Sequence, residues 1–95
     1  MKKLPIEVGC FVRSIAGRDA GRLFIVVEEQ DVDFVTIVNG KLRTVDRPKR
    51  KRRKHLKPTG ERCSEYLQSI REGAAVEDHE VRSWLKKEEE RLVQV

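Results

Sequence analysis

Rings are scarce in this sequence: three Phe, one Tyr and one Trp make up 5% of its 95 residues. Recognition by stacking would therefore have to draw on Phe11, Phe24, Phe34, Tyr66 or Trp84. Most of these stand in apolar runs that belong to a core, and Phe11 and Phe34 are the better placed on strand-face grounds. Cysteine is confined to Cys10 and Cys63, which is no disulfide framework. The expectation is two buried thiols in a reducing cytosol, with a single Cys10–Cys63 bridge as the alternative. No run approaches the ~20 apolar residues that cross a bilayer. Met1–Glu7 opens with charge, but no apolar segment follows it, so a secretory signal is not expected and the location expected is cytoplasmic. Histidine is limited to His55 and His79, so neither zinc spacing nor a Ser-His-Asp or Cys-His order stands out. Gly17–Gly21 lacks the Gly-Lys-Ser/Thr end of a phosphate loop. Catalysis, a metal and a cofactor are accordingly not expected.

Charge is what the chain has in abundance, and it is unevenly placed. Residues 1–46 carry seven basic and seven acidic side chains, and residues 58–95 carry six basic against nine acidic. The whole positive excess comes from Arg47–Lys57, where eight of eleven residues are Lys or Arg and none is acidic. A localised field of one sign attracts a polyanion, most often nucleic acid. Membrane-binding segments interleave Trp, Phe or Leu with their cations, and here only Leu56 interrupts the run, so a membrane is not the expected partner.

Apolar patterning surrounds the run. Val8–Ile15 is strand-like, with Val8, Cys10 and Val12 on one face, and Ala16–Gly21 is a turn in which Asp19 is expected to bond nearby backbone. Leu23–Val27, apolar on both faces, reads as a buried strand, and Phe34–Val38 as a third. Asn39-Gly40 favours a tight type I′ turn, which makes Lys41–Val45 a fourth strand. Four short strands leave edges to hide, and a small, strongly bent barrel hides them. Lys54–Lys57, stopped by Pro58 and with Leu56 pointing inward, is the expected fifth strand, and Lys49–Arg53 the loop before it. Cys63, Tyr66, Leu67 and Ile70 then share a helical face, in a helix starting at Thr59 or Gly60 and stopping at Gly73. Asp78 is the expected N-cap of a second helix whose apolar side is Val81, Trp84, Leu85 and Leu92. Glu88–Glu90 point in three directions and read as a solvated face. The organisation expected is mostly β, with a barrel over 1–57 and a helical extension over 58–95 packed as one compact unit.

The stretch Gly9–Val27, with Gly17-Arg-Asp-Ala-Gly21 at its centre, resembles the KOW motif. Its continuation through Asn39-Gly-Lys-Leu-Arg43, Arg47-Pro-Lys49 and Lys54-His-Leu56 is similar to bacterial KOW-domain RNA-binding proteins related to large-subunit ribosomal proteins of the fourteen-e type. The resemblance covers about residues 8–57 and implies a five-stranded SH3-like barrel that binds RNA, commonly within the ribosome. Gly9 and Gly21 fall on the motif's glycines. Arg13, Arg18 and Arg22 flank its first turn, and Lys41, Arg43 and Arg47 fall on the basic positions that follow. With Lys49, Arg50, Lys51, Arg52, Arg53 and Lys54, these twelve cations are the expected RNA-binding set. Such groups hold phosphate by charge and charge-assisted hydrogen bonds, which orient RNA without reading its sequence.

The functional expectation is thus a monomeric RNA-binding protein acting on structured RNA such as ribosomal RNA. Its competitor is a protein-interaction module that docks a partner through the C-terminal helices. A DNA-bound role is a third reading, because phosphate contacts alone do not separate the two nucleic acids and the 2′-hydroxyl does.

Overall fold

Both faces of Leu23–Val27 are apolar, and a strand of that kind needs cover on both sides. The computed structural model describes residues 5–94, so the first part of the 1–7 lead-in lies outside it. Five antiparallel strands make one sheet: β1 (Cys10–Ser14), β2 (Leu23–Glu29), β3 (Phe34–Val38), β4 (Lys49–Arg52) and β5 (Leu56–Arg62). Their spatial order is β4-β3-β2-β1-β5, so the last strand returns to pair with the first. Two helices follow, α1 (Ser64–Arg71) and α2 (Asp78–Val93).

Alternation along the strands divides the apolar side chains between two cores. On one face Cys10, Val12, Phe24, Val26, Val35, Ile37 and Leu56 pack together, most of them with no exposed surface. On the other, Phe11, Leu23, Ile25 and Val38 are covered by Cys63, Tyr66, Val81, Trp84 and Leu85 from the helical part. Tyr66 and Trp84 meet edge to face, with centroids 6.4 Å apart. Each fully buried Val, Ile or Phe contributes roughly 1.5–3 kcal/mol from desolvation, so the two cores dominate stability. The register shifts between Cys10 and Val12 and between Val26 and Glu28, and extra residues of that kind bend a strand.

The sheet departs from the sequence expectation at its fourth strand. Lys41–Val45 forms no strand, because other groups take its backbone hydrogens. The Asn39 Oδ1 accepts from the Lys41 and Arg43 amides at 3.0 and 2.9 Å, and Asp78 Oδ1 accepts from the Val45 amide at 2.8 Å. Asn39-Gly40 therefore opens a compact ten-residue connection over 39–48 rather than a two-residue hairpin turn. The partner of β3 is instead Lys49–Arg52, pairing Phe34 with Arg52 and Ile37 with Lys49. Thus Lys49–Arg52, expected within a loop, is a strand.

Pro58 does not end the fifth strand either. It lies within β5 opposite Val12, tolerated because β5 is an edge strand whose other side needs no amide. Lys54 and His55 belong to a 3-10 turn, Arg53–His55, and Leu56 points inward as expected. β5 thus runs on past residue 57, and α1 starts only at Ser64. Cys63 caps that helix and Glu77 caps α2 through a reciprocal bond with Glu80, leaving Asp78 to hold the 39–48 connection. Ile70 is 43% exposed, so the α1 stripe is buried only at its start.

Candidate nucleic-acid interface

The Arg47–Lys57 run is held by an edge strand, and alternation splits its side chains between two faces. Lys49 and Lys51 share one face. Arg50 and Arg52 share the other, where the Phe34 ring lies beneath both, its centroid 3.5 Å from the Arg50 guanidinium carbon and 4.8 Å from that of Arg52. An edge strand leaves backbone amides and carbonyls unpaired along its free side.

Lys51 is buried. Its Nζ donates to the Ala16 carbonyl at 3.0 Å and so ties β4 to the turn between β1 and β2. That turn also receives Arg43, whose Nη2 lies 3.3 Å from the buried Asp19 carboxylate, while its Nε is buried with no partner. The expected local backbone bond of Asp19 is thus an ion pair that reaches across to the 39–48 connection. Arg13 closes the same turn from a third side, donating to the Gly21 carbonyl at 2.7 Å and to Glu89 on α2 at 2.8 Å. Three segments remote in sequence, 15–22, 39–48 and β4, therefore meet at one end of the sheet.

Around this junction Arg18, Arg22, Lys41 and Arg47 are exposed, Lys49 is half-exposed, and none forms an ion pair among the described residues. Arg50, Arg52 and Lys54 are exposed as well, but Arg50 and Arg52 lie over Phe34 rather than facing the junction. Four of the twelve expected cations are occupied by the fold itself. Besides Arg13, Arg43 and Lys51, Arg53 donates to the Ile6 carbonyl at 2.6 Å, to the Asp31 carbonyl at 3.1 Å and to Glu29 at 3.0 Å.

The run is therefore not wholly uncompensated. The turn between β2 and β3 is acidic, and its Asp31 carboxylate accepts from the Asp33 and Phe34 amides at 2.8 Å each. Those two amides, with Arg50 and Arg53 nearby, hold Asp31 below the usual carboxylate range. Arg50 is steadied by Gln30 at 2.8 Å, on the same acidic side.

The rings separate cleanly. Phe11 is buried beneath the helices, whereas Phe34 is half-exposed between two guanidiniums. A further feature escaped the sequence: a cleft of about 750 Å³ beside the 3-10 turn, lined by Ile6, Val32, Asp33, Leu56, Pro58 and the cations 52–54 and Lys57. Its walls come from three separate segments, so no local pattern announces it.

Elsewhere, Glu88 is buried rather than solvated. Burial alone would raise its pKa, but hydrogen bonds from Arg91 and from the Thr59 hydroxyl at 2.6 Å, with the Arg91 charge, hold it low instead. Cys10 and Cys63 are free and buried, and burial pushes the Cys63 thiol up to about 11. Among the described residues no cluster of three or more His, Cys, Asp or Glu could hold a metal, and no helix is long and apolar enough to cross a membrane. Compared with models of known protein families, the chain matches none.

Proposed function

We propose that this chain is an RNA-binding protein of the KOW type, built on a small SH3-like barrel and gripping structured RNA, such as ribosomal RNA, by its phosphates. The observation that carries this reading is the junction at which Lys51 meets Ala16 and Arg43 meets Asp19. Those contacts fix the scaffold and leave the neighbouring cations exposed around one end of the sheet. Holding like charges together has an electrostatic cost that an anionic partner relieves. The barrel reading is supported by the return of β5 to β1, by two strand bends, and by an inner core that the helices do not cover.

Docking of a protein through the helices has less support. Tyr66, Val81, Trp84 and Leu85 are already spent on the sheet. Binding of a structured RNA, followed by fluorescence anisotropy, tests the proposal. The variant Arg18→Gln, Arg22→Gln, Lys41→Gln, Arg47→Gln and Lys49→Gln removes the exposed cations around the junction and leaves the four anchoring cations in place. It should lose most of the affinity while keeping the native far-ultraviolet spectrum; unchanged affinity refutes the reading. A nuclease-treated pull-down provides a second check, because a protein partner would survive digestion of the RNA.

A further inference from the structure

The cleft beside the 3-10 turn combines two chemistries. Ile6, Leu56 and Pro58 supply apolar walls, and Val32, 85% exposed at the tip of the β2–β3 turn, stands at its mouth. Arg52, Lys54 and Lys57 supply cations at its border, and all three are exposed. Its volume of about 750 Å³ falls within the ~300–1,000 Å³ of small-molecule sites. A duplex offers such a cleft phosphates, 2′-hydroxyls and minor-groove base edges but no open ring face, since its bases are stacked inside. An unpaired nucleotide offers both a flat, largely apolar ring and a phosphate. Extruded bases are held between apolar side chains in just this manner.

We propose that the cleft receives one unpaired nucleotide of the bound RNA. Its base lies against Ile6, Leu56 and Pro58 with Val32 covering it, and its flanking phosphates lie against Arg52, Lys54 and Lys57. Arg52 is suited to this role because its guanidinium is already oriented by the Phe34 ring, so less freedom is lost when it grips phosphate. Asp33, the exposed carboxylate in the lining, disfavours a phosphate on the Val32 side of the cleft and leaves that role to the side of Arg52, Lys54 and Lys57. The inference rests on the RNA-binding reading and adds to it a preference for bulged or looped RNA over continuous duplex.

Two hairpins of equal length test it, one fully paired and one with a single bulged 2-aminopurine. The bulged hairpin should bind the intact chain about tenfold more tightly, a ratio equivalent to ~1.4 kcal/mol. Its 2-aminopurine fluorescence should change on binding. Val32→Asn, at an exposed position that the fold does not need, should remove most of that advantage and leave the paired hairpin's affinity unchanged. Amide shifts at Val32 and Leu56 on titration with the bulged hairpin should accompany binding. Equal, salt-sensitive affinity for both hairpins overturns the cleft assignment while leaving RNA binding intact. No binding of either hairpin at low salt overturns both. Shifts at the cleft with an acidic peptide but not with the bulged hairpin make it a protein site, and the inference fails.

Discussion

Lys51 and Arg52 are adjacent, equally basic and opposite in role, and their replacement by methionine should separate structure from binding. The Lys51 ammonium is buried and donates to the Ala16 carbonyl at 3.0 Å. A hydrogen bond to a charged group contributes about 1.5–3 kcal/mol, and the Ala16 carbonyl keeps the Ser14 hydroxyl as a donor at 3.0 Å, so the loss is confined to this one bond. Methionine recovers part of this by burying an apolar chain where an ammonium had been desolvated. A net destabilisation of about 1–2 kcal/mol follows, or roughly 5–15 °C in Tm for a chain of this size. The RNA affinity of folded Lys51→Met should keep the salt slope of the parent. Arg52→Met, at an exposed position, should change stability by no more than ~0.5 kcal/mol. It should also reduce the magnitude of the slope of log K against log salt by ~0.7, the share of one phosphate. Thermal melts and anisotropy at several salt concentrations measure both. If Lys51→Met melts with the parent and flattens the slope as Arg52→Met does, the placement of Lys51 inside the fold is wrong.

Three further outcomes follow from the packing. Gly40 has φ of +77° and an added Cβ would stand 2.5 Å from the Asp78 carbonyl oxygen, so Gly40→Ala should cost about 1–3 kcal/mol from backbone strain, and more from the clash, in urea unfolding. Glu88 has a depressed pKa in the folded state, so its contribution is complete above the ordinary glutamate value of ~4.3 and is lost as pH falls through the lower folded value. Glu88→Gln should therefore be less stable than the parent at pH 7, with the gap closing toward pH 3 in melting curves. Cys63, fully buried with its pKa near 11, should react with iodoacetamide at pH 8 only as fast as the protein opens, and rapid labelling of the native chain would contradict its burial.

The parts of the fold legible in the sequence are those set by local apolar period. Leu23–Val27 and Phe34–Val38 are strands because branched residues fill them, and Val81, Trp84 and Leu85 share a helical face. What was not legible depends on side chains reaching across the chain. Asn39-Gly40 signals a hairpin only until Asp78, 33 residues beyond Val45, takes the Val45 amide. Lys49–Arg52 reads as a solvated loop by composition, yet it becomes a strand because β3 needs a partner and Lys51 finds a carbonyl 35 residues away. Arg53 looks like a surface charge for the same reason, since Glu29, which neutralises it, lies in another segment, and Glu88 does so because the Thr59 hydroxyl bonded to it lies 29 residues away, although its ion-pair partner Arg91 is only three residues on. Of the candidate interface, the segments were visible in the sequence and the division of their cations between anchoring and exposed roles was not.

Phosphate recognition by the exposed cations of β4 and its neighbouring turns is the central proposal. The affinity of the intact chain for a structured RNA, measured between 50 and 200 mM salt, tests this most directly. If about six phosphates are held, log K should fall against log salt with a slope of about −4 where they belong to single strands and about −5 where they belong to a duplex. A slope near zero, or no binding at the lowest salt, would contradict it.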